Sequence, residues 1–145
     1  MTDTLTIYSY FNKPEELDRY AEMLTELPEL AYEHAYKTYK LFPAGEAAIA
    51  KDGHYSLLYA TYIVRDRFQA GEPVIAKSVV YSYEYAKNVM KGAFPEGEAV
   101  IANDGHYSLE YAKNILKAPF PAGEPAIREN PRYNKKYEKF LASIE

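Results

Sequence analysis

The sequence predicts an all-α protein, a right-handed two-layer α-solenoid of short helix-turn-helix repeats. Three observations support this prediction: a gapless 26-residue period, two amphipathic helical segments in each period, and a helix-capping residue before the second segment. Short helix pairs cannot bury their apolar faces alone, so they stack on their neighbours. We expect about five helix pairs, the first of them degenerate. Residues 4–11 alternate loosely in hydrophobicity and fit a short strand or an extended cap.

Six positions are identical in four consecutive units and define the repeat. Each position holds one residue type, and its copies are 26 residues apart. The copies are Phe42, Phe68, Phe94 and Phe120; Gly45, Gly71, Gly97 and Gly123; Glu46, Glu72, Glu98 and Glu124; Ile49, Ile75, Ile101 and Ile127; Tyr55, Tyr81, Tyr107 and Tyr133; and Tyr59, Tyr85, Tyr111 and Tyr137. The sequence therefore predicts one domain with an N-terminal region, 1–41, and a repeat region, 42–145. The four units are 42–67, 68–93, 94–119 and 120–145.

The second helix of each unit carries the clearer signals. It begins after a residue whose side chain accepts a hydrogen bond from a free backbone amide of the first helical turn. These N-cap residues are Asp52, Ser78, Asp104 and Asn130. An apolar stripe follows at i, i+4 and i+8, as in Tyr55, Tyr59 and Ile63, and Gly92 is a predicted stop signal. The first helix, PAGEAAIAK at 43–51, is too short to be stable alone, so packing must hold it.

Residues 1–41 follow the same plan in altered form. Asn12 is the predicted N-cap of one helix, and PELAYEHAYKTYKL (28–41) is the predicted second helix. Eight acidic and four basic side chains give this region a net charge of −4, whereas residues 42–145 are neutral overall. We therefore interpret residues 1–41 as an acidic cap that shields the end of the stack of repeats.

The composition excludes several classes of function. The chain has 145 residues and no cysteine, which excludes a disulfide framework, a thiolate nucleophile and a cysteine-ligated metal. We expect a cytoplasmic protein without membrane contact, because the N-terminus is no secretory signal and no stretch approaches the ~18–20 apolar residues of a membrane span. The formal net charge is −4. Without a basic excess, nucleic acid is not an expected partner.

The units from residue 42 onward share the motif GE-x-x-IA-x-x-x-x-Y-S-x-x-YA-x-x-x-x-K, and the resemblance that it carries covers about residues 28–145. The motif resembles short tandem α-helical repeats found in uncharacterised proteins of bacteria and large tailed bacteriophages. In general architecture it is similar to the tetratricopeptide and HEAT repeats, although the 26-residue unit is shorter than theirs. For a phage protein, the resemblance would imply a small inhibitor that acts on a host factor, such as a defence protein, by steric occlusion.

The hexapeptide DGHYSL occurs twice and contains His54 and His106. These histidines are two repeats apart, roughly 20 Å if each repeat adds one layer of packed helices, so one metal ion cannot bind both within a chain. The same position holds Val80 in the unit between them and Arg132 in the last unit. Three interpretations stay open: a turn position without a chemical role, a contact with a partner, and a metal or catalytic site. His34, in the N-terminal region, is expected to be structural.

Two other repeated side chains are candidates for chemistry. The repeated glutamates share one environment, so their pKa values cannot diverge as acid–base catalysis requires, and we interpret them as first-turn residues favoured by the helix dipole. The repeated tyrosines are expected in the core, with a hydroxyl group that bonds to a glutamate of the neighbouring unit. Tyr62 and Tyr83 lie off the apolar stripe, and we expect them to be exposed interface anchors.

The sequence favours a non-enzymatic, protein-binding scaffold with no catalytic residue, no metal site and no cofactor. Variable positions on a fixed frame are the predicted partner contacts. These residues are His54, Tyr62, Val80, Tyr83, His106 and Arg132. One alternative is a binder of nucleotides or single-stranded nucleic acid, with tyrosine rings on the bases and basic helix ends near the phosphates; those ends hold Lys87, Lys91, Lys113 and Lys117. A second alternative is a metal-dependent enzyme built across a dimer from the two histidines, and a homo-oligomer is left open.

Overall fold

The structure is a computed structural model that describes the backbone of residues 14–145 and the side chains of residues 20–145. These residues form ten α-helices joined by turns and contain no β-strand. The predicted all-α class is therefore confirmed for the described part of the chain. The strand or extended cap predicted at residues 4–11 lies outside the described residues.

The helices form pairs along the chain. In the N-terminal region, α1 spans Pro14–Glu26 and α2 spans Pro28–Thr38. The first helices of the four units are α3 (Pro43–Ile49), α5 (Glu72–Ile75), α7 (Pro95–Ile101) and α9 (Glu124–Glu129). The second helices are α4 (Gly53–Tyr59), α6 (Val79–Tyr85), α8 (Gly105–Glu110) and α10 (Pro131–Ser143). Short 3₁₀ turns precede α5 and α9, at Gln69–Gly71 and Pro121–Gly123.

Three of the second helices widen into π-helical turns, which the sequence does not predict. The π-helical segments are Ala60–Val64 after α4, Ala86–Met90 after α6 and Tyr111–Leu116 after α8. The wider turn requires i→i+5 hydrogen bonds and changes the register of the side chains that follow. The periodicity of the sequence cannot show this change, because the apolar residues at i+4 and i+8 suit an ordinary helix as well.

The predicted N-caps are confirmed in all four units. The Asp52 carboxylate accepts a hydrogen bond from the Tyr55 amide at 2.9 Å, and Asp104 accepts one from Tyr107 at 2.8 Å. The other two caps are Ser78, which accepts from the Tyr81 amide, and Asn130, which accepts from the Arg132 and Tyr133 amides. An N-cap of this kind contributes about 1 kcal/mol to helix stability. The caps thus fix where every second helix begins.

Each helix packs against its neighbours along the chain. The second helix of a unit contacts the first helix of the next unit, as α4 contacts α5 and α6 contacts α7, and consecutive second helices also contact one another. The core between them repeats one tyrosine and one isoleucine per unit, all fully buried. These residues are Tyr59, Tyr85, Tyr111 and Tyr137, and Ile49, Ile75, Ile101 and Ile127. Each buried isoleucine stabilises the fold by about 1.5–3 kcal/mol.

The repeated glycines lie where one unit approaches the previous one most closely. A Cβ atom on Gly71 would lie 2.6 Å from Ser56 of the preceding unit, and one on Gly97 would lie 2.6 Å from Ser82. Each of these serines is fully buried and donates its hydroxyl hydrogen to an isoleucine carbonyl, as Ser82 does to Ile75. The glycine is therefore required by packing between units.

In the first three units, the second helix and its π-helical turn end at a residue in the left-handed conformation. Arg65, Lys91 and Lys117 have φ angles of 57°, 51° and 51°, and Tyr39 ends α2 in the same way with φ at 53°. The predicted stop signal Gly92 does not have a positive φ, so the left-handed residue is its neighbour Lys91. A side chain with a Cβ atom is strained by about 1–2 kcal/mol in this conformation, which glycine adopts readily.

Replacement of Arg65 by glycine should therefore stabilise the protein. We expect Arg65→Gly to raise the free energy of unfolding by about 0.5–1 kcal/mol, since the relieved strain is offset in part by the greater entropy of unfolded glycine. Arg65→Ala is the matched control, because it removes the cation and keeps the Cβ atom. Urea denaturation compares the two variants, and equal stabilities would show that the left-handed backbone carries no strain.

No helix within residues 14–145 is both long enough and apolar enough to cross a membrane.

Candidate functional site

The repeated glutamates and tyrosines bond to each other inside each unit. The Tyr59 hydroxyl donates to Glu46 Oε1 at 2.8 Å and accepts from the Phe42 amide at 3.0 Å. The other units repeat both bonds with Tyr85, Glu72 and Phe68; with Tyr111, Glu98 and Phe94; and with Tyr137, Glu124 and Phe120. The predicted bond between neighbouring units is wrong in its partner, because both residues belong to the same unit. The bond closes each helix pair on itself.

These carboxylates are structural side chains. The Arg67 guanidinium donates two hydrogen bonds of 2.9 Å to Glu72, and together with the Tyr85 hydroxyl it holds the pKa of Glu72 below its usual value, although burial opposes the shift. Burial raises the pKa of Tyr59 to about 12, and the hydrogen bond to Glu46 adds to the increase. Burial also raises the pKa of Tyr85, the partner of Glu72, so Glu72 stays ionised and Tyr85 stays neutral at pH 7, as the hydrogen bond between them requires.

The two histidines of the DGHYSL segments are exposed, and they contact different tyrosines. His54 lies against Tyr55 of its own unit, with ring centroids 5.1 Å apart, and against Tyr81 of the next unit at 5.9 Å. His106 repeats this arrangement with Tyr107 and Tyr133. Each histidine thus links the tyrosines of two consecutive units at the surface. Val80 and Arg132 are also exposed at this position of their units.

The two off-stripe tyrosines differ in exposure. Tyr62 is 55% exposed, as expected, whereas Tyr83 is only 6% exposed, so the expectation that Tyr83 is an exposed anchor is wrong. Its ring packs against Tyr107, and its hydroxyl accepts a hydrogen bond from Asn114 at 3.3 Å. The equivalent residue of the next unit is Leu109, which is also buried. This position faces the neighbouring unit. Its apolar character in both units is the sequence signal that indicates burial.

His34 occupies a place like that of the buried tyrosines, in the N-terminal region. Its ring packs against Phe42 with centroids 4.6 Å apart, as Tyr59 packs against Phe68 at 5.0 Å. Burial lowers the pKa of His34, and its Nδ1 atom has no hydrogen-bond partner among the described residues. The contact joins α2 to the first repeat.

A groove of about 420 Å³ lies between α2 and α4, next to His54. Its walls carry three tyrosines and a leucine, together with His54 and charged side chains from α2. The lining residues are Glu29, Tyr32, Glu33, Tyr36, Lys37, His54, Tyr55 and Leu58. The Tyr32 ring is the centre of the aromatic cluster, with centroids 5.8 Å from both Tyr36 and Tyr55. We call this feature the tyrosine groove.

The tyrosine groove has a small net negative charge, because two carboxylates, Glu29 and Glu33, and one cation, Lys37, line it. Burial raises the pKa of Tyr55, and the carboxylates of Glu29, Asp52 and Glu33 raise it further. Burial also raises the pKa of Tyr32 to about 12, with smaller contributions from Tyr36 and Tyr62. Glu29 and Glu33 are one helical turn apart and line the same wall. The groove therefore offers aromatic faces beside negative charge.

The structure brings together only part of the contact set predicted from the sequence. His54 lines the tyrosine groove, and Tyr62 lies near enough to Tyr32 to affect its pKa. Val80, His106 and Arg132 belong to later units. The sequence-based contact set lacks Tyr32 and Tyr36, although their i, i+4 spacing in α2 places both rings on one helical face.

No group of three or more His, Cys, Asp or Glu side chains able to hold a metal ion occurs among the residues that the structure describes. Comparison of the chain with protein-family models, with curated proteins and with solved structures found no match.

Proposed function

We propose that the protein is a non-enzymatic α-helical repeat scaffold that binds a cationic segment of a protein partner in the tyrosine groove. The observation that carries the proposal is the convergence of three tyrosine rings and two carboxylates in one groove of about 420 Å³. Exposed tyrosines are common anchors of protein interfaces. Binding at this groove would occupy the partner's surface, so the protein would act by occlusion.

The charge of the groove selects the partner's chemistry. An arginine guanidinium stacks on tyrosine faces, and each such contact contributes about 0.5–2 kcal/mol. The same planar group forms two parallel hydrogen bonds to a carboxylate, which lysine cannot do. Glu29 and Glu33 lie beside Tyr32 and Tyr36, so one arginine side chain can meet a ring and a carboxylate together.

The repeated contacts support the proposal that the protein is a scaffold. Each unit closes on itself through a tyrosine–glutamate bond and meets the next unit at a glycine–serine contact. Four units that repeat the same contacts stack in one direction, and we propose that they form a two-layer α-solenoid. The N-terminal region would then be its terminal unit. A variable surface on this fixed frame is where solenoids bind their partners.

Calorimetry with two matched peptides tests the proposal. One is a heptapeptide with three arginines and blocked ends, and the other carries the neutral isostere citrulline in their place. We expect the arginine peptide to bind with a Kd of about 100 µM or tighter, and the citrulline peptide at least about tenfold more weakly, because it lacks the charge that stacks and pairs.

Variants of the protein localise this binding. Tyr36→Ala removes a half-exposed ring of the groove and Glu33→Gln removes a charge, and each should weaken the arginine peptide about fivefold or more. Glu96→Gln is the matched control, because Glu96 is exposed in another unit, outside the groove. Equal affinity for both peptides, or equal losses in Glu33→Gln and Glu96→Gln, would contradict the proposal.

A further inference from the structure

A second surface lies toward the C-terminal ends of the second helices, and six lysines define it. Two cavities occur there, of about 390 and 290 Å³, and each is lined by three lysines. The first is lined by Lys113, Lys136, Lys139, Phe140 and Ser143. The second is lined by Lys87, Lys91, Gly92, Asn114, Ile115 and Lys117. We call the six lysines the cationic edge.

The repeat itself brings these lysines together. Lys87, Lys113 and Lys139 are 26 residues apart, and so are Lys91 and Lys117. Lys87 and Lys91 of one unit line the same cavity, whereas the sixth lysine, Lys136, belongs to neither row. Each cavity draws on two consecutive second helices, since one is lined by Lys91 of one unit and Lys117 of the next. Neighbouring units thus form one continuous row of cations.

No carboxylate neutralises this edge within the described part of the chain. None of the six ammonium groups lies within 4.0 Å of an acidic oxygen there. Acidic residues on the same helices bond to other side chains: Glu84 and Glu110 accept hydrogen bonds of 2.7 Å from Asn88 and Asn114, and Glu138 accepts one from the Arg128 guanidinium. Asp52 and Asp104 cap helices, and the repeated glutamates bond to tyrosines, so a repeat region that is neutral overall can still carry a positive edge.

The backbone at two of these lysines adds a second observation. Lys91 and Lys117 have φ angles of 51°, where glycine would relieve strain. A cation anywhere in the last turn satisfies the helix dipole, so the dipole does not require a lysine at the strained position. Arg65 has the same conformation at the equivalent position, so three consecutive units keep a basic residue where glycine would be less strained.

We infer that the cationic edge binds a linear phosphate chain, the backbone of single-stranded nucleic acid or inorganic polyphosphate. Three ammonium groups line each cavity. A phosphate group has enough oxygens to accept from all of them, whereas a carboxylate has two. Repetition of the cavity along the stack suits a polymer with regularly spaced anions.

This inference differs from the expectation drawn from net charge. Net charge averages over all faces of the molecule, whereas binding depends on the local potential of one face. Base stacking on the repeated tyrosines plays no part, because Tyr59, Tyr85, Tyr111 and Tyr137 are fully buried. The binding should accordingly depend on phosphate charge and little on base sequence.

Fluorescence anisotropy with a labelled 12-nucleotide oligothymidylate tests the inference. Three or four phosphate contacts predict that affinity falls about 20- to 50-fold between 50 and 200 mM salt. Lys113→Gln combined with Lys117→Gln should weaken binding at least about fivefold at 50 mM salt. The matched control is Lys51→Gln with Lys77→Gln, two exposed lysines at the other end of the second helices, about 20 Å away, and it should change affinity less than about twofold.

Competition distinguishes the sources of the ligand. Displacement of the oligonucleotide by inorganic polyphosphate supports a site for phosphate chains in general, and failure of polyphosphate to displace it supports nucleic acid as the ligand. Displacement by polyglutamate at the same concentration of charge would overturn the inference in favour of an acidic protein partner. Absence of oligonucleotide binding at 50 mM salt, or equal weakening in the control variant, would also overturn it.

Discussion

Gly97→Ala should be among the most destabilising single changes in the repeat region. The new Cβ atom would lie 2.6 Å from both the Cβ and the Oγ of Ser82, which is fully buried and bonded to the Ile75 carbonyl. Neither unit can yield without losing that bond or the packing around it. We expect the free energy of unfolding to fall by about 2–3 kcal/mol, measured by urea denaturation.

Gly92→Ala is the matched control for this change. A Cβ atom there would meet nothing closer than the Met90 carbonyl oxygen at 3.9 Å, and Gly92 has no positive φ. Alanine should therefore be neutral or stabilise the protein by up to about 1 kcal/mol. Ser82→Gly combined with Gly97→Ala should recover part of the loss, because it removes the clashing side chain. Equal stabilities of Gly97→Ala and Gly92→Ala would contradict close packing between units.

Tyr85→Phe should cause the second large loss. The hydroxyl donates to Glu72 at 2.7 Å and accepts from the Phe68 amide at 3.0 Å, and both Glu72 and Phe68 are buried. Its removal leaves a buried amide without an acceptor and the carboxylate with one donor fewer. A hydrogen bond to a charged group contributes about 1.5–3 kcal/mol, and we expect a loss of about 2–3 kcal/mol in thermal or urea unfolding.

Tyr81→Phe supplies the comparison for the hydroxyl. Tyr81 is the other repeated tyrosine of the same unit, and its ring packs against the core. Its hydroxyl makes no recorded hydrogen bond within the described residues, and only its backbone amide bonds to Ser78. We expect this change to alter stability by less than about 0.5 kcal/mol. Similar losses in the two variants would mean that the bond to Glu72 does not stabilise the fold.

The sequence predicts those features that depend on local chemistry. Asp52 and Asn130 are recognisable N-caps because a side-chain acceptor before a helix has one main use. The buried tyrosine of each unit follows from helical spacing, as Tyr59 shows. Identity at 26-residue intervals also indicates that some contact requires glycine, glutamate and tyrosine together.

Features that depend on geometry between elements are not predictable in this way. The tyrosine–glutamate bond lies within a unit, because Glu46 and Tyr59 meet only after the helix pair has folded back on itself. Tyr83 is buried because its position faces the next unit, a fact that a single helix does not reveal. The left-handed residue is Lys91 although Gly92 follows it, since a preceding π-helical turn sets where the chain leaves the helix.

Both proposed surfaces arise from the same cause. The repeated contacts occupy the inner faces of the helices, so the outer faces and helix ends remain free to vary. The tyrosine groove uses residues of α2 that have drifted from the repeat, such as Tyr32 and Tyr36. The cationic edge uses positions that the repeat leaves exposed, such as Lys91 and Lys117. One carries negative charge beside aromatic rings and the other carries positive charge, so they fit different ligands.

Two-dimensional ¹H–¹⁵N NMR of the labelled protein, titrated with the three-arginine heptapeptide, tests the central claim most directly. The account predicts saturable shift changes at Tyr32, Glu33, Tyr36 and His54, with little change in residues 120–145, which lie in the last unit. The citrulline peptide should leave the same signals in place at equal concentration. Shift changes that spare the groove, or none at millimolar arginine peptide, would contradict the claim that this scaffold binds a cationic protein segment there.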